Sequence, residues 1–321
     1  MSHKRFHISA DGVVRRCFAR SPETCRLSRA GTPHFDSVKE AEEWLADHID
    51  DDGGRRGKNY TSRKARIRGG QRMSLDARQV EQWKSDNGVA DTASRISTLA
   101  KDSLRTRGAP LQVTTDDGRT LFVKDAFCTT VTVKGHREDK LVYEVDYQRN
   151  ADHLHQGMQT CFNRDALGKQ VTVMDTNDIR SAQAAYTTDD GRAGIVIKSD
   201  GEVGGLYKEN TLGRPYGVTH TLLDTAIRER GDAITHLECF DTYLPHAYEK
   251  SGMVPVASIP FVREYAPQSW DYEEMKKYHN GEPPVMFMVH KSKVGTVTPE
   301  VKQFDNYDDA RAWAVHFSQG S

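Results

Sequence analysis

Arg214-Pro215-Tyr216-Gly217-Val218-Thr219 lies between a strand pattern over residues 202–208 and an amphipathic pattern over Val218–Arg230. A loop that enters a helix in this way presents unpaired backbone N–H groups and the positive end of a helix dipole. Gly217 lets the backbone come close to a large anion such as a pyrophosphate. His220, Leu222, Leu223, Ala226 and Ile227 then place one helix face against a sheet.

Outward from this loop, residues 193–198 and 202–208 flank Ser199-Asp200-Gly201 and predict a hairpin. Downstream follow a strand over 234–239, a helix over 243–251, and strands over 253–259 and 285–290. The β-α-β crossover within this order requires two parallel neighbouring strands. Upstream, strands are expected over 121–124, 129–134 and 141–147. Residues 74–104 predict one or two helices broken near Asn87-Gly88.

The order of elements is similar to the acyl-CoA pyrophosphate motif of the GNAT superfamily of N-acyltransferases, a strand, Arg/Gln-x-x-Gly-x-Gly/Ala and a helix. Arg214 and Gly217 match, and Thr219 departs from the third small position. Ala247-Tyr248-Glu249-Lys250-Ser251-Gly252-Met253 is similar to the superfamily's following helix, with Met253 replacing an aromatic residue. The blocks at residues 239–245, 259–261, 266–267, 270–271 and 285–288 are closest to GNAT-like domains of phage and mobile-element proteins. The resemblance spans roughly residues 191–290 and implies an α/β (α+β) fold, a GNAT-like mixed sheet with helices on both faces.

The resemblance further implies that acetyl-CoA is the co-substrate and an amine the acceptor. Arg214, Pro215, Tyr216, Gly217, Val218 and Thr219, with Leu206 and Tyr207 on the preceding strand, would hold the cofactor. Two parallel strands would splay to admit the pantetheine arm, and the amine would attack the thioester directly. That chemistry needs a base, oxyanion donors and an acid for the leaving thiolate. Tyr248 stands where the acid is expected, or packs on its helix face. Asp241 is placed as base or as helix cap, with Glu238 and Glu209 as alternatives. Residues 262–284, with Tyr265, Trp270, Tyr272 and Tyr278, read as an acceptor-binding lid or as a surface loop with its own aromatic cluster.

The domain reading has five parts. Residues 1–52 form a small N-terminal α/β module, 53–73 a basic glycine-bearing linker, and 74–108 a helical connector. Residues 109–291 form the acyltransferase domain and 292–321 a strand-helix extension. In the first module His7, Cys17, Cys25 and His34 are ligand types for one tetrahedral zinc, the alternative being buried cysteines and solvated histidines. Arg55 to Arg72 carries eight basic residues and no acidic one, so it is a nucleic-acid contact or a solvated tether. His153, His155 and Cys161 read as a polar loop. The run 304–313 repeats the Phe-Asp, Ala, Trp spacing of residues 35–44 and reads as a second capped helix.

Composition sets outer bounds. A net charge of −1 over 321 residues excludes a whole-chain electrostatic basis for nucleic-acid binding. A mean hydropathy of −0.71 and the lack of a long apolar run argue for a soluble, cytoplasmic protein with no membrane partner. The five cysteines are too sparse for a disulfide framework. Two further readings remain beside the acyltransferase: a catalytically silent binding or structural protein of the same fold, and a nucleic-acid-associated mobile-element factor.

Overall fold

The structure, a computed structural model, describes residues 6–8, 14–16, 34–35, 40–41, 74–133, 136–209, 217–294 and 300–318. The chain divides into two units, residues 1–71 and residues 72–321. In the first, strands β1 (Phe6–Ile8), β2 (Val14–Arg16) and β3 (His34–Phe35) form an antiparallel sheet in the order β2-β1-β3. His7 and His34 are register partners, while Cys17, Cys25 and the basic segment from Arg55 to Arg72 lie outside the described residues.

The second unit begins with β4 (Ser74–Asp76) and helix α1 (Ala77–Arg107). Asp76 and Gln79 form a reciprocal capping box at its start. Gly88, at φ 80°, breaks the helix where the sequence predicts. Residues 74–108 were expected as a connector, yet Val80, Ala93, Ile96 and Ala100 are buried against the sheet. These residues therefore belong to the core of the unit.

Next come β5 (Leu111–Thr114), β6 (Thr120–Val133) and β7 (His136–Val145). The two strands expected at 121–124 and 129–134 are one. A bulge between Val123 and Asp125 carries β6 through the interval. Helix α2 (Ala151–Arg164) contains His153, His155 and Cys161, which corrects the polar-loop expectation. Leu154, Met158 and Cys161 recur at helical spacing and are buried, and this period outweighs the polar residues between them. The short helix α3 (Thr176–Arg180), β8 (Ala184–Thr188), β9 (Ala193–Ile197) and β10 (Val203–Lys208) follow, with the predicted β9–β10 hairpin in place.

Helix α4 (Val218–Arg230), β11 (Leu237–Phe240), α5 (Leu244–Glu249), β12 (Met253–Ile259), β13 (Val285–His290), β14 (Lys302–Gln303) and α6 (Tyr307–Ser318) complete the chain. The eleven-stranded sheet runs β14-β12-β13-β11-β10-β9-β8-β7-β6-β5-β4. It is mixed: β4–β5, β10–β11 and β12–β14 are parallel pairs. Alternation along β11 and β13 sends Leu237, Cys239 and Met288 to the α4–α5 face and Phe287 and Val289 to the α6 face. Together with α1 and α2 on the first core, helices cover both faces of a mixed sheet, as the resemblance implies. β14 and α6, expected as an extension, close one edge of this same sheet.

Tyr207 is 2% exposed and wedged between two glycines. An added Cβ at Gly157 would lie 2.6 Å from the ring Cζ, and one at Gly194 would lie 2.7 Å from Cε1. Gly157→Ala therefore gains about 1 kcal/mol of helix propensity but loses about 1–3 kcal/mol to overpacking. A lowered urea midpoint is expected. The Tyr207 hydroxyl is buried without a partner, so Tyr207→Phe should leave the midpoint unchanged or raise it.

Burial pushes the imidazoles of His153, His220 and His290 below the ordinary value of 6.5. The unfolded chain then takes up protons first as pH falls, so stability is full above 6.5 and declines below it. The carboxyls of Asp117 and Asp165, held low despite burial by hydrogen bonds and neighbouring arginines, add their loss only below 3.8. Urea midpoints should be flat from about pH 8 to pH 7 and drop by about pH 5.5. A flat profile to pH 5 would show these histidines solvated.

Candidate functional site

Strands β10 and β11 are parallel neighbours joined in register only at Val203↔Leu237. Beyond that point they part. On its other edge β10 remains paired with β9, through a bulge between Gly204 and Tyr207. Gly205 makes the bulge by taking φ 56°, a left-handed conformation that favours glycine. The β11-facing backbone groups of residues 204–208 thus border a gap in the middle of the sheet, and backbone groups in such a place need partners.

Helix α4 starts directly beyond this gap. Gly217 is its N-cap at φ 83°, with no side-chain cap. Gly217 O accepts from both the backbone N–H and the hydroxyl of Thr221, at 2.7 and 2.8 Å. A cavity of about 490 Å3 opens beside this helix start, lined by Val218, Thr221, Lys140 and Lys208 and also by Asp139, Asp189 and Asp190. Burial, with Arg164 nearby, pulls the Lys208 ammonium down from its ordinary value, a displacement that an anion would relieve. Arg214, Pro215 and Tyr216 lie outside the described residues, whereas Gly217, Val218 and Thr219 stand at the helix start. Leu206 packs toward the α4 face. Tyr207 points into the opposite core, so its ring is not available to a cofactor and only its backbone borders the gap.

The candidate catalytic groups gather around β11. Tyr248 on α5 is 7% exposed and packs with Cys239 in the core beneath α4. Burial, and then the neighbouring Cys239, raise its phenol well above the ordinary range, so it keeps its proton. Burial likewise pushes up the Cys239 thiol, which removes it as a thiolate nucleophile. Asp241 sits just past the strand, one-third exposed, with an oxygen 2.8 Å from Nε2 of the exposed His279. His279 and Asn280 both adopt left-handed φ, 46° and 56°, a local strain that points this loop at Asp241. Glu209 is consumed elsewhere, in a two-bond ion pair with Arg119 at 2.6 and 2.7 Å.

Glu238 is the first residue of β11 past the point of parting, and it faces away from Tyr248. The Tyr307 hydroxyl, from the first turn of α6, donates to both of its oxygens at 2.7 Å. His236 lies behind it, with Nε2 3.4 Å from a Glu238 oxygen. Glu238 lines a cavity of about 660 Å3 with Phe240, Phe261, Tyr265 and the start of α6. The 262–284 segment supports that wall: Trp270 is buried, donates to Gly281 O at 2.9 Å, and stacks within 4.9 Å of Phe240 and 5.3 Å of Phe261. The expected aromatic cluster of this loop is present, built around Trp270. Tyr307 and His236 were not anticipated. Tyr307 lay within the run 304–313, but only the folded sheet brings it to Glu238.

Among the described residues, Glu202, His236 and Glu238 form the one group with metal-ligating types, their ligand atoms within 4.8 Å of one another. Glu202 already holds Lys198 and Arg311, and Glu238 holds Tyr307. The two cations on Glu202 occupy oxygens that an ion would need. Among the described residues no helix is long and apolar enough to cross a membrane.

No protein-family model matches the chain, and no curated protein matches it. Among solved structures, it is similar to Rv2747 from Mycobacterium tuberculosis in complex with CoA and NLQ, at 12% identity and a TM-score of 0.28, over 44% of this chain and 95% of that one. It is also similar to N-acetylglutamate synthase from Neisseria gonorrhoeae complexed with coenzyme A and L-arginine, at 15% identity and a TM-score of 0.26, over 87% of this chain and 66% of that one. Likenesses this weak carry no weight for function, and the site stands on its own geometry.

Tyr307→Phe removes the donor to both Glu238 oxygens and should cost about 1 kcal/mol, because Tyr307 is partly exposed. Asp241→Asn, losing only a solvent-screened pair, should cost less than about 0.5 kcal/mol. Urea midpoints compare the two. An equal cost would mean that Glu238 is no more firmly held than Asp241.

Proposed function

We propose that the chain is an acyl-CoA-dependent N-acyltransferase that transfers an acetyl group to an amine by direct attack on the thioester. The observation that carries this reading is the single β10–β11 bridge at Val203↔Leu237, with the strands parting toward a glycine-capped helix start. A pantetheine arm carries two amides, and a sheet gap with unpaired strand edges suits it. The diphosphate would meet the N–H groups at the start of α4 and the ammonium of Lys208.

In the proposed reaction the acceptor amine enters from the Glu238 side and forms a bond to the thioester carbonyl carbon. Backbone N–H groups bordering the gap would steady the resulting oxyanion. Glu238 takes the proton from nitrogen. Collapse of the intermediate breaks the C–S bond, and the Tyr248 hydroxyl gives its proton to the departing thiolate. β11 serves this division of labour because alternate residues face opposite ways: Glu238 points to one cavity, while Cys239 packs against Tyr248. Glu238 is preferred to Asp241 as base because it is recessed, lines the cavity of about 660 Å3 and is not bound by a surface histidine.

Calorimetric titration with acetyl-CoA is the test. Binding is expected for the parent chain and lost in Gly217→Glu, which puts a bulky anion at the helix start. Glu238→Gln should keep acetyl-CoA affinity and lower turnover roughly 100-fold, whereas Asp241→Asn should change turnover little. No heat from any acyl-CoA overturns the reading.

A further inference from the structure

The cavity on the Glu238 side has a one-sided chemistry. Its carboxylates come from Glu238, Asp305 and Asp308, and none of its lining residues is lysine, arginine or histidine. Among the described residues, Asp305 and Asp308 have no ion-pair partner, in contrast to Glu209, Asp117 and Glu202 elsewhere in the unit. Glu238 is hydrogen-bonded by a neutral hydroxyl and forms no ion pair with a lysine or arginine, although Arg311, held by Asp200 and Glu202, is close enough to interact with it. Behind it, His236 is 1% exposed, and its Nε2 faces Glu238 without a hydrogen-bond partner. The lining of the cavity itself supplies no positive charge, and a cationic ligand would bring it.

Depth separates the carboxylates into two groups. The Glu238 side chain is 17% exposed, whereas Asp305 and Asp308 are exposed where the chain enters α6. The same cavity is lined by the rings of Phe240, Phe261 and Tyr265. Phe240 and Phe261 are fixed 6.0 Å apart, both against Trp270. Aromatic faces accept methylene chains and attract cations. The volume, about 660 Å3, is that of a small-molecule pocket.

From this juxtaposition we infer that the acceptor is a small diamine or polyamine. One amine reaches the recessed Glu238, the alkyl chain lies along the Phe240–Phe261 wall, and a second ammonium sits between Asp305 and Asp308. An acceptor bearing a carboxylate or phosphate finds no cation in this cavity and is disfavoured by the same charges. The inference rests on the acyltransferase reading, with the cavity as that enzyme's acceptor site.

The test compares cadaverine, spermidine, pentylamine, L-glutamate and a lysine-rich peptide as acceptors, following thiol release from acetyl-CoA. Calorimetry with cadaverine alone runs beside it. Cadaverine should exceed pentylamine in kcat/KM by about tenfold, the equivalent of one favourable charge contact in a partly desolvated site. The double variant Asp305→Asn, Asp308→Asn should erase that preference, while Asp152→Asn, an exposed acid on α2, should retain it. Equal use of pentylamine and cadaverine overturns the inference, as does preference for L-glutamate or the peptide. Acetyl-CoA binding without cadaverine binding also overturns it and leaves the transferase reading standing. Cadaverine binding lost in the double variant, without acetyl-CoA binding, overturns the transferase reading and keeps the cavity's assignment to diamines.

Discussion

The parting of β10 from β11 is the constraint on which the rest of this molecule depends. Two parallel strands with regular backbones would stay paired along their length, because each unpaired buried N–H or C=O costs free energy. Here the pairing stops after Val203↔Leu237. The left-handed turn at Gly205 bends β10 within its pairing to β9, while β11 is held on its far edge by β13 over all four of its residues. β11 therefore has a complete ladder on its outer side, and β10 one interrupted only at the bulge. The gap is tolerated because the sheet on both flanks is too firmly hydrogen-bonded to close over it.

What surrounds the gap divides by charge. Toward α4 lie a helix start without a side-chain cap and the ammonium of Lys208, pulled down by burial and by Arg164. Toward α6 lie carboxylates without cationic partners. β11 runs between these environments and contributes alternate residues to each. The proposed reaction would draw an anionic cofactor from one side and a cationic amine from the other.

The C-terminal segment completes the second environment. Phe304, Trp313 and Phe317 pack α6 onto β12 and β13, and that packing delivers Tyr307 to Glu238 and the aspartates to the cavity mouth. Its packing residues and its contribution to the cavity alternate within the same short segment. The 262–284 segment works similarly, since the packing of Trp270 and Met275 sets the positions of Phe240 and Phe261.

Local patterns determined much of this. The strand-turn-strand at Ser199-Asp200-Gly201, the glycine-initiated helix at Gly217, the break at Gly88 and the strands at Met253–Ile259 and Val285–His290 are each set by residues within a few positions. They were legible for that reason. The continuous β6 and the helical setting of His153 and His155 were not, because a bulge and a buried helix face depend on partners distant in sequence. Among the site residues, Tyr248 and Glu238 could be proposed from the order of elements. Only the tertiary structure engaged Glu209 with Arg119, turned Tyr207 into the core, and brought Tyr307 to Glu238 across 69 positions. The sequence by itself determined which elements form and in what order, because capping, turn and periodicity preferences act over short range. The tertiary structure decided which carboxylate stays free of a cation, because that depends on which distant charge the folded sheet sets beside it.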